Sequence, residues 1–466
     1  MTPGDDIVIH RGRYSESVVV RSGGNPDARV VIRTADDGEV VVDGSGVDVD
    51  RHDTLFLIRD ATDVTLRGFT IANSGANCLT AARTARLQLE DLRIEDCGAS
   101  GIFIADSTGP ARTSIRRSQV ARARQGGIVL WTNPEGYFLV EDNVVHHIAG
   151  VNNFDGIQGN DSPYTVIRGN TLYAMGDEGD YIDCGGDQTS PTSHAHHIVY
   201  DRNLIYVGDG GRADGLKLNN RPRRAILRRN IVEGKGAIFY EQPHAQVAVY
   251  ANTFVNASGH ALQLWNANRE EDFAGIVVRN NLFAGARQAL IQHAPKPREG
   301  SPPAIVMDGN AYRFTGGGID WVDGETSVSV AGTRGGYESW RTQTGQEPRG
   351  GLFLETSALF ENRDARDYTP KASSPLIDAA VPLTTTRSSG RGRWVPVHES
   401  FFFFDGYGMV DGDTIVVGNN APARVVEVDE VAERLGLDRE ISFAEDDPVT
   451  LPFAGAAPDI GARERD

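Results

Sequence analysis

Three segments between Asn152 and Asn220 have charged residues at matching positions of one short pattern. Neighbouring segments with the same pattern, such as Ser100-Gly101-Ile102-Phe103, have small or apolar residues there. The first position is an aspartate in three successive segments: Asp155, Asp180 and Asp214. Three residues further on, the same segments have Gln158, Asp183 and Lys217. If these segments stack as parallel strands about 4.8 Å apart, four carboxylates and one ammonium group crowd a single patch.

Clustered carboxylates of this kind are the ligands that a hard cation such as Ca²⁺ requires. Without a cation, they would raise one another's pKa values and destabilise the fold. We therefore predict a calcium site formed by Asp155, Asp180, Asp183 and Asp214. Lys217 is next to Asp183 in the column, and a nearby divalent cation would disfavour its protonated form, as a general base requires. The cation would also ease removal of the hydrogen α to a substrate carboxylate, which predicts β-elimination on a uronic acid residue with Lys217 as the base.

Basic and aromatic residues around this patch are candidates for binding the substrate. Four arginines flank Lys217 and are suited to holding further carboxylates or the leaving oxygen: Arg212, Arg221, Arg223 and Arg224. Of these, Arg212, Arg221 and Arg224 belong to the predicted binding set. A long insertion at 185–197 follows Asp183, and long loops on one repeat tend to lie on the binding face. We therefore predict that His194 and His197 contact the substrate, and we add Tyr240 to the predicted binding set. The structural alternative is a solvated turn for the arginines and a solvated loop for the histidines.

The segments that position these residues repeat along most of the chain. Short β-branched stretches alternate with Gly, Asp and Asn, which is typical of strands and turns. One asparagine per repeat marks a common slot, with spacings of 27, 33, 27, 22 and 29 between Asn143, Asn170, Asn203, Asn230, Asn252 and Asn281. Such a period in a β-rich chain predicts a parallel β-helix. We expect the asparagines to stack at one turn, to adopt left-handed backbone and to bond between coils.

Two parts of the chain are predicted from this organisation. Residues 1–372 form the parallel β-helix, with its catalytic face around 152–224. No stretch before about residue 425 has a convincing helical period, although Gly335–Arg341 reads as a short amphipathic segment outside the stack. Residues 373–466 form a β-rich cap that covers the exposed edge of the last coil. The predicted strands of the cap are Phe401–Phe404, Asp413–Val417 and Arg424–Val428.

Composition limits the partners. The formal net charge of −18 argues against nucleic acid binding as the main task. A polyanionic substrate remains compatible with this charge, because a bound cation or local arginines reverse the field within a cleft. No apolar run is long enough to cross a membrane. We expect a monomer that acts on an anionic polysaccharide.

The cysteines are Cys78, Cys97 and Cys184, and no CxxC pair occurs, which argues against a zinc site. Cys184 reads as a small buried apolar residue beside Asp183. Cys78 and Cys97 come close to one another if the coils stack. A disulfide and two free thiols both remain open for this pair.

Asp155, Asp180, Asp183 and Lys217, in this order and spacing, resemble the site of family 9 polysaccharide lyases. Asp214–Leu218 looks like the segment that bears the lysine base of that family, and Gly179–Asp183 looks like its aspartate-rich coil, with Gly179 where the family has another aspartate. The resemblance implies a right-handed parallel β-helix, an aspartate cluster that holds calcium and a pectate-like substrate. The ending Pro458–Ala462 resembles those of many secreted bacterial β-helix proteins. We expect a secreted or periplasmic protein, with no signal peptide within this chain.

Two other functions fit the same residues. The segment Asn153–Gly156, with Asp180 and Asp183, is also similar to polygalacturonases, which are inverting glycoside hydrolases with paired acids about 6.5–9.5 Å apart. That family has a histidine where Lys217 stands. A non-catalytic carbohydrate-binding β-helix, whose acidic patch holds a structural cation, is the second alternative.

Overall fold

The computed structural model describes residues 1–49, 53–176, 179–186, 195–207, 212–220, 222–240, 245–257, 259–265, 274–286, 291–294, 305–323, 326–356 and 358–465. The chain divides into two compact units. The first comprises Met1–Pro222 and Val232–Glu241, and the second comprises Arg223–Ile231 and Gln242–Asp466. The fold is all-β, and the described residues contain one α-helix and two short 3-10 helices.

The first unit is a stack of short strands that the chain places in turn on three parallel sheets. Sheet 1 contains Asp6–Ile9, Val30–Thr34, Val64–Arg67, Gln88–Glu90, Thr113–Arg116, Phe138–Glu141, Thr165–Arg168 and His196–Asp201. Sheet 2 contains Gly12–Tyr14, Val40–Asp43, Thr70–Ser74, Arg93–Cys97, Gln119–Ala123, Val144–His146, Thr171–Tyr173 and Leu204–Tyr206. Sheet 3 contains Val18–Val20, Thr54–Arg59, Asn77–Ala82, Ile102–Ala105, Ile128–Trp131, Ile157–Asn160, Ile182–Gly185, Leu216–Asn219 and Ala237–Tyr240. This is the predicted parallel β-helix.

Alternation along the strands explains why these segments stack. In sheet 3, Ile157 pairs with Ile182 and Ile182 pairs with Leu216, and all three side chains are fully buried. Their sequence neighbours Gln158, Asp183 and Lys217 therefore lie on the other face of the same strands. A slip of one residue would send these polar groups into the apolar core, so the hydrophobic pattern fixes the register.

An asparagine ladder joins successive coils of the first unit. The Asn143 side-chain amide donates to Asn170 Oδ1 at 3.0 Å, and the Asn170 amide donates to Asn203 Oδ1 at 3.0 Å. The predicted ladder is therefore present, but the predicted left-handed backbone belongs to the residue before each asparagine. Asp142, for example, has φ 55°. The asparagine itself keeps a conformation that points its amide inward, where it is almost completely buried.

A disulfide links Cys78 to Cys97, with a Cα–Cα distance of 5.5 Å. Cys78 lies in the sheet 3 strand Asn77–Ala82, and Cys97 ends the sheet 2 strand Arg93–Cys97 one coil later. Cys184 is a buried free thiol, as predicted. The open question on the first two cysteines is thus answered in favour of pairing.

In the second unit, parallel strands again form three groups. One group contains Arg223–Arg228, Ala245–Tyr250, Ala274–Arg279 and Ile305–Asp308. Another contains Thr253–Ala257, Leu282–Ala286, Ala311–Arg313 and Leu352–Phe353, and the third contains Leu262–Trp265, Ile291–Ala294 and Ile319–Asp323, with Thr326–Val330 antiparallel at its end. The strand Ile231–Glu233 begins in this unit and ends in the first one.

The rest of the second unit is antiparallel. Phe360–Asn362 pairs with Asp367–Pro370, and a six-stranded sheet has the order Thr384–Thr385, Pro448–Thr450, Thr414–Val417, Ala423–Asp429, Arg434–Phe443 and Gly390–Pro396. The 3-10 helices are Arg363–Ala365 and Ser400–Phe402. The β-rich C-terminal region is as predicted. The division into units does not fall at residue 372, so the boundary between 1–372 and 373–466 stays a prediction.

Two expectations for this unit are wrong. An α-helix, Arg334–Thr344, forms before residue 425, where no helical period was expected, and it includes the amphipathic segment Gly335–Arg341 that the sequence indicated. The Thr333 side chain caps its first turn, and the buried rings of Tyr337 and Trp340 anchor it. The Phe401–Phe404 segment is not a strand, because the backbone turns there as the 3-10 helix Ser400–Phe402, and the Phe403 N–H donates to the Ser400 backbone oxygen at 3.1 Å.

An asparagine ladder also runs through the second unit. The Asn252 amide donates to Asn281 Oδ1, and the Asn281 amide donates to Asn310 Oδ1. The ladder ends on a carboxylate, since the Asn310 amide donates to Glu347 Oε1 at 2.8 Å. Tyr312 Oη donates to the same oxygen at 2.6 Å. Glu347 is fully buried.

Among the described residues, no helix is long and apolar enough to span a membrane.

Candidate active site

The column of three aspartates lies in the turns that lead into sheet 3. Asp155, Asp180 and Asp214 each precede their strand by two residues. One carboxylate oxygen of each of the first two fixes the next coil: Asp155 Oδ1 accepts from the Asp180 backbone N–H at 2.7 Å, and Asp180 Oδ1 accepts from the Asp214 backbone N–H at 2.7 Å. The column therefore has a structural role that sequence reasoning missed.

The structure brings three of the four predicted metal ligands together. Asp155, Asp180 and Asp183 each offer a carboxylate oxygen, and these oxygens lie within 4.8 Å of one another. Asp155 is 2% exposed and Asp183 is 7% exposed. We call Asp155, Asp180 and Asp183 the aspartate cluster. Because it is both close-packed and buried, its negative charge requires a counter-charge.

Lys217 provides one such charge. It pairs with Asp183 in the register of sheet 3, as predicted. Its Nζ donates to Asp180 Oδ2 at 2.8 Å and lies 3.2 Å from Asp183 Oδ2. The sequence predicted the proximity to Asp183. The shorter contact with Asp180, one coil back, depends on the course of the turn and was not predicted.

Burial and mutual repulsion control the ionisation of this group. Burial raises the pKa of Asp155 well above its usual range, and the charges of Asp183 and Asp180 raise it further. Burial also raises the pKa of Asp183, against the opposing influence of the Lys217 ammonium. Although burial alone would lower the pKa of Lys217, the carboxylates of Asp183, Asp180 and Asp155 raise it above its ordinary value. In this state Lys217 holds its proton as the counter-ion of the cluster.

The cluster keeps unused oxygen atoms. Asp155 Oδ2, Asp183 Oδ1 and Gln158 Oε1 are buried and have no hydrogen-bond partner within the described part of the chain. Gln158 pairs with Asp183 in sheet 3 and is 7% exposed. Buried acceptors without donors cost free energy, and three oxygen atoms of this type are the donor set that a hard cation prefers. The residues present therefore fit Ca²⁺.

Asp214 lies outside the aspartate cluster. Its carboxylate pairs with Lys235 Nζ at 2.9 Å, and the same Nζ donates to the Arg212 backbone oxygen at 3.0 Å. Burial raises the pKa of Asp214 to about 6, with a further contribution from Asp180, against the lowering effect of Lys235. Its role as a metal ligand stays a prediction.

The predicted substrate-binding residues are placed in different surroundings. Arg212 is exposed and lies two residues before Asp214. Arg224 belongs to the second unit, where its guanidinium donates to Gln246 Oε1 at 3.0 Å and pairs with Glu430. His197 is not in a loop as expected: it lies in the sheet 1 strand His196–Asp201, and its ring stacks on Tyr164 at 4.6 Å. His194, Arg221 and the Tyr240 side chain fall outside the described residues.

One exposed aromatic residue near the cluster was not singled out from the sequence. Trp131 ends the strand Ile128–Trp131 of sheet 3 and is 38% exposed. The same alternation that placed Asp183 outward places this residue on the outward face. An outward tryptophan two coils from charged outward positions is the signal that would have identified it.

Comparisons with known proteins agree on the fold. A family model described as a right handed beta helix region matches residues 54–212. A search of curated proteins gives no match. The structure of XylC in complex with xylose has a TM-score of 0.53 and 10% identity, with 97% of this chain and 95% of that one covered.

Pectate lyase Pel9A has a TM-score of 0.46 and 13% identity, with 100% of this chain and 89% of that one covered. The PL6 family alginate lyase AlyGC has a TM-score of 0.45 and 12% identity, with 84% and 59% covered. The compared structures thus include polysaccharide lyases. The chain folds as the predicted right-handed parallel β-helix.

Proposed function

We propose that this protein is a polysaccharide lyase that cleaves a uronate-containing glycan by β-elimination, with Lys217 as the base. One observation carries the proposal: a lysine is held between two carboxylates of a buried aspartate cluster that still has unpartnered oxygen atoms. A cluster of this kind is costly to the fold, and such sites are most often functional.

In this reaction Lys217 Nζ takes the proton from C5 of a uronate residue, α to its carboxylate. The electrons of that C–H bond form the C4–C5 double bond, and the C4–O bond to the neighbouring sugar breaks with its electron pair on the oxygen, which takes up a proton from water. The Asp180 and Asp183 contacts hold Nζ at one point of the outward face of sheet 3. A proton-transfer group held in place contributes typically 10²–10⁴-fold to the rate.

The aspartate cluster decides whether Lys217 acts as a base. Its three carboxylates keep the pKa of Lys217 above its ordinary value, so that the neutral amine is rare while they remain uncompensated. Asp155, Asp183 and Gln158 offer the unpartnered oxygen atoms that would hold Ca²⁺. Calcium bound there would supply positive charge that offsets the carboxylates and attracts the substrate carboxylate. The same charge would lower the pKa of Lys217 toward the range of a useful base.

The proposed substrate is a pectate-like polyuronate, and the proposed location is secreted or periplasmic. The Cys78–Cys97 disulfide supports this location, because such bonds persist in oxidising compartments. Arg212 and His197 remain proposed substrate contacts, together with Arg221, Arg224, His194 and Tyr240. The protein is proposed to work as a monomer.

The inverting hydrolase is the second candidate, and the product assay separates it from the lyase. The two carboxyl groups of such a hydrolase must stand about 6.5–9.5 Å apart so that a water molecule fits beside the sugar. The offered oxygens of Asp155, Asp180 and Asp183 lie within 4.8 Å of one another. A glycan-binding protein without catalytic activity would use the same charges of the aspartate cluster and Lys217. The product assay distinguishes it from both enzymes.

The test measures the ultraviolet absorbance of unsaturated products on a panel of polygalacturonate, alginate and glycosaminoglycan. Each polymer is incubated with calcium and with chelator, using wild type, Lys217→Met and the control Lys371→Met, which removes a lysine of the C-terminal region. We expect calcium-dependent product from wild type and the control, with a loss of at least about 100-fold in Lys217→Met. New reducing ends without absorbance would identify a hydrolase, and activity that survives in Lys217→Met would refute the assignment of the base.

A further inference from the structure

Trp131 is exposed on the same sheet that holds Asp183 and Lys217. Its strand pairs with the strand of Gln158, and that strand pairs with the strand of Asp183. Two strand spacings of about 4.8 Å separate the coil of Trp131 from the coil of Asp183, which is roughly 10 Å. Exposure of the tryptophan ring to water costs free energy, and a ligand that covers the ring with an apolar surface would recover it.

Phe154 extends this aromatic surface to the aspartate cluster. Its ring centroid lies 5.8 Å from that of Trp131, with the two planes tilted by 31°. Phe154 is half-buried and directly precedes Asp155. A Cβ added at Gly126 would lie 3.4 Å from the Phe154 ring and only 2.4 Å from the Val129 side chain. The absence of a side chain at Gly126 therefore leaves room for the Phe154 ring and the Val129 side chain.

Polar groups and bare backbone lie between Trp131 and the cluster. Trp131 pairs with Asn160, and Asn160 pairs with Gly185. A side chain at Gly185 has no space, since its Cβ would lie 2.2 Å from the Asn219 backbone oxygen. Asn160 is half-buried and offers a side-chain amide beside Trp131. The face thus has an aromatic surface at one end, with an amide and a strip of side-chain-free backbone next to it.

We propose that Trp131, with Phe154 beside it, is a subsite that stacks on a sugar ring of the glycan whose uronate is held at the aspartate cluster. This inference rests on the proposed function, because it takes the occupant of the face to be a glycan. Sugar rings have an apolar C–H face and polar edges, which suits a tryptophan ring next to an amide oxygen. The half-buried Asn160, which pairs with Trp131 on the neighbouring strand, is placed to bond hydroxyl groups of the same sugar ring.

The subsite fixes the direction of the chain. The glycan runs across the strands of sheet 3, from Trp131 toward Lys217, and therefore along the stack of coils. Short oligomers bound at Lys217 do not reach Trp131, whereas longer ones do. The stacking contributes binding far from the bond that breaks, which predicts an effect on KM that grows with oligomer length.

The experiment compares wild type, Trp131→Ala and Trp131→Phe on uronate oligomers of increasing length prepared from each polymer of the panel. Binding is measured in the Lys217→Met background with calcium, by quenching of tryptophan fluorescence and by calorimetry. Trp394→Ala is the matched control, because it removes a half-buried tryptophan from the C-terminal antiparallel sheet. We expect Trp131→Ala to bind long oligomers about tenfold more weakly and short ones unchanged, with Trp131→Phe close to wild type.

Equal affinity of wild type and Trp131→Ala for every length would overturn the subsite, even if the wild type produces unsaturated sugars. Length-dependent binding that needs Trp131, without any unsaturated product from the Lys217 enzyme, would keep the subsite and reject the lyase. No binding of any oligomer by any variant would overturn both. Unchanged melting temperatures of Trp131→Ala and Trp131→Phe show that the comparison concerns binding alone.

Discussion

Replacement of Lys217 by methionine is the most informative single change, because it removes the ammonium group and keeps an apolar stem of similar length. The Lys217 side chain is 19% exposed, and its partners Asp180 and Asp183 are 14% and 10% exposed. The ion pairs are therefore largely removed from water. Loss of one partner from such a pair leaves buried charge without compensation, which costs about 3–5 kcal/mol.

The size of the loss depends on pH. The pKa values of Asp155 and Asp183 are already raised in the folded protein, and removal of Lys217 raises them further. Carboxylates with raised folded-state pKa values favour the folded state at low pH, and this contribution is lost as pH rises through those values. We expect Lys217→Met to lose about 3 kcal/mol at pH 8 without calcium, and less at pH 5, where the cluster takes up protons.

Calcium should reverse the loss. A ligand present at 100 times its Kd stabilises the folded state by about 2.7 kcal/mol. The assay is urea denaturation of wild type, Lys217→Met and Lys371→Met at pH 5 and pH 8, with calcium and with chelator. The reasoning is refuted if Lys217→Met is as stable as wild type at pH 8 in chelator, or if calcium leaves both unchanged.

Three further predictions concern the scaffold. Burial raises the pKa of Glu347 to about 7. As pH rises from 4.5 through 7, the free energy of unfolding of wild type should therefore fall by up to about 3 kcal/mol relative to that of Glu347→Gln. Denaturation at several pH values measures this difference. A reductant should lower the free energy of unfolding of wild type by about 3 kcal/mol, because the disulfide closes a loop over a sequence separation of 19. The reductant should leave a Cys78→Ser/Cys97→Ser variant unchanged. Equal responses of both proteins would disprove the contribution of the disulfide to stability. Asn170→Ala should cost about 3 kcal/mol, because it deprives the Asn143 backbone N–H and side-chain amide of their acceptor; a melting temperature equal to that of wild type would contradict this.

The repeat pattern predicted the fold because inward apolar residues and outward polar residues alternate along the strands of every coil. Inward Ile182 and Leu216 fix the register, and outward Asp183 and Lys217 then follow as neighbours. The asparagine ladder was predicted for the same reason, since one residue per coil at a constant slot must stack. What failed was the backbone assignment: Asp142, not Asn143, has the left-handed conformation. A sequence pattern identifies the slot but does not say which of two adjacent residues absorbs the turn.

The candidate site was predicted only in part, because its details depend on turns. The pattern predicted that Asp155, Asp180 and Asp183 lie together. In the structure, one carboxylate oxygen of each lies within 4.8 Å of the others. It also grouped Asp214 with them, whereas a lysine one coil later, Lys235, takes that carboxylate at 2.9 Å. Contacts between coils of unequal length cannot be read from a repeat alone.

The ladder of the second unit has a direction. Each asparagine amide donates toward the C-terminus, from Asn252 to Asn281 and from Asn281 to Asn310, so the amide dipoles align head to tail. Such an array polarises its own members and leaves a donor at its leading end. Glu347, which only accepts when ionised, closes that end with bonds from the Asn310 amide and backbone N–H. The ladder thus ends on a carboxylate in place of a further asparagine, and after the addition or deletion of a coil the last amide must still donate to that carboxylate.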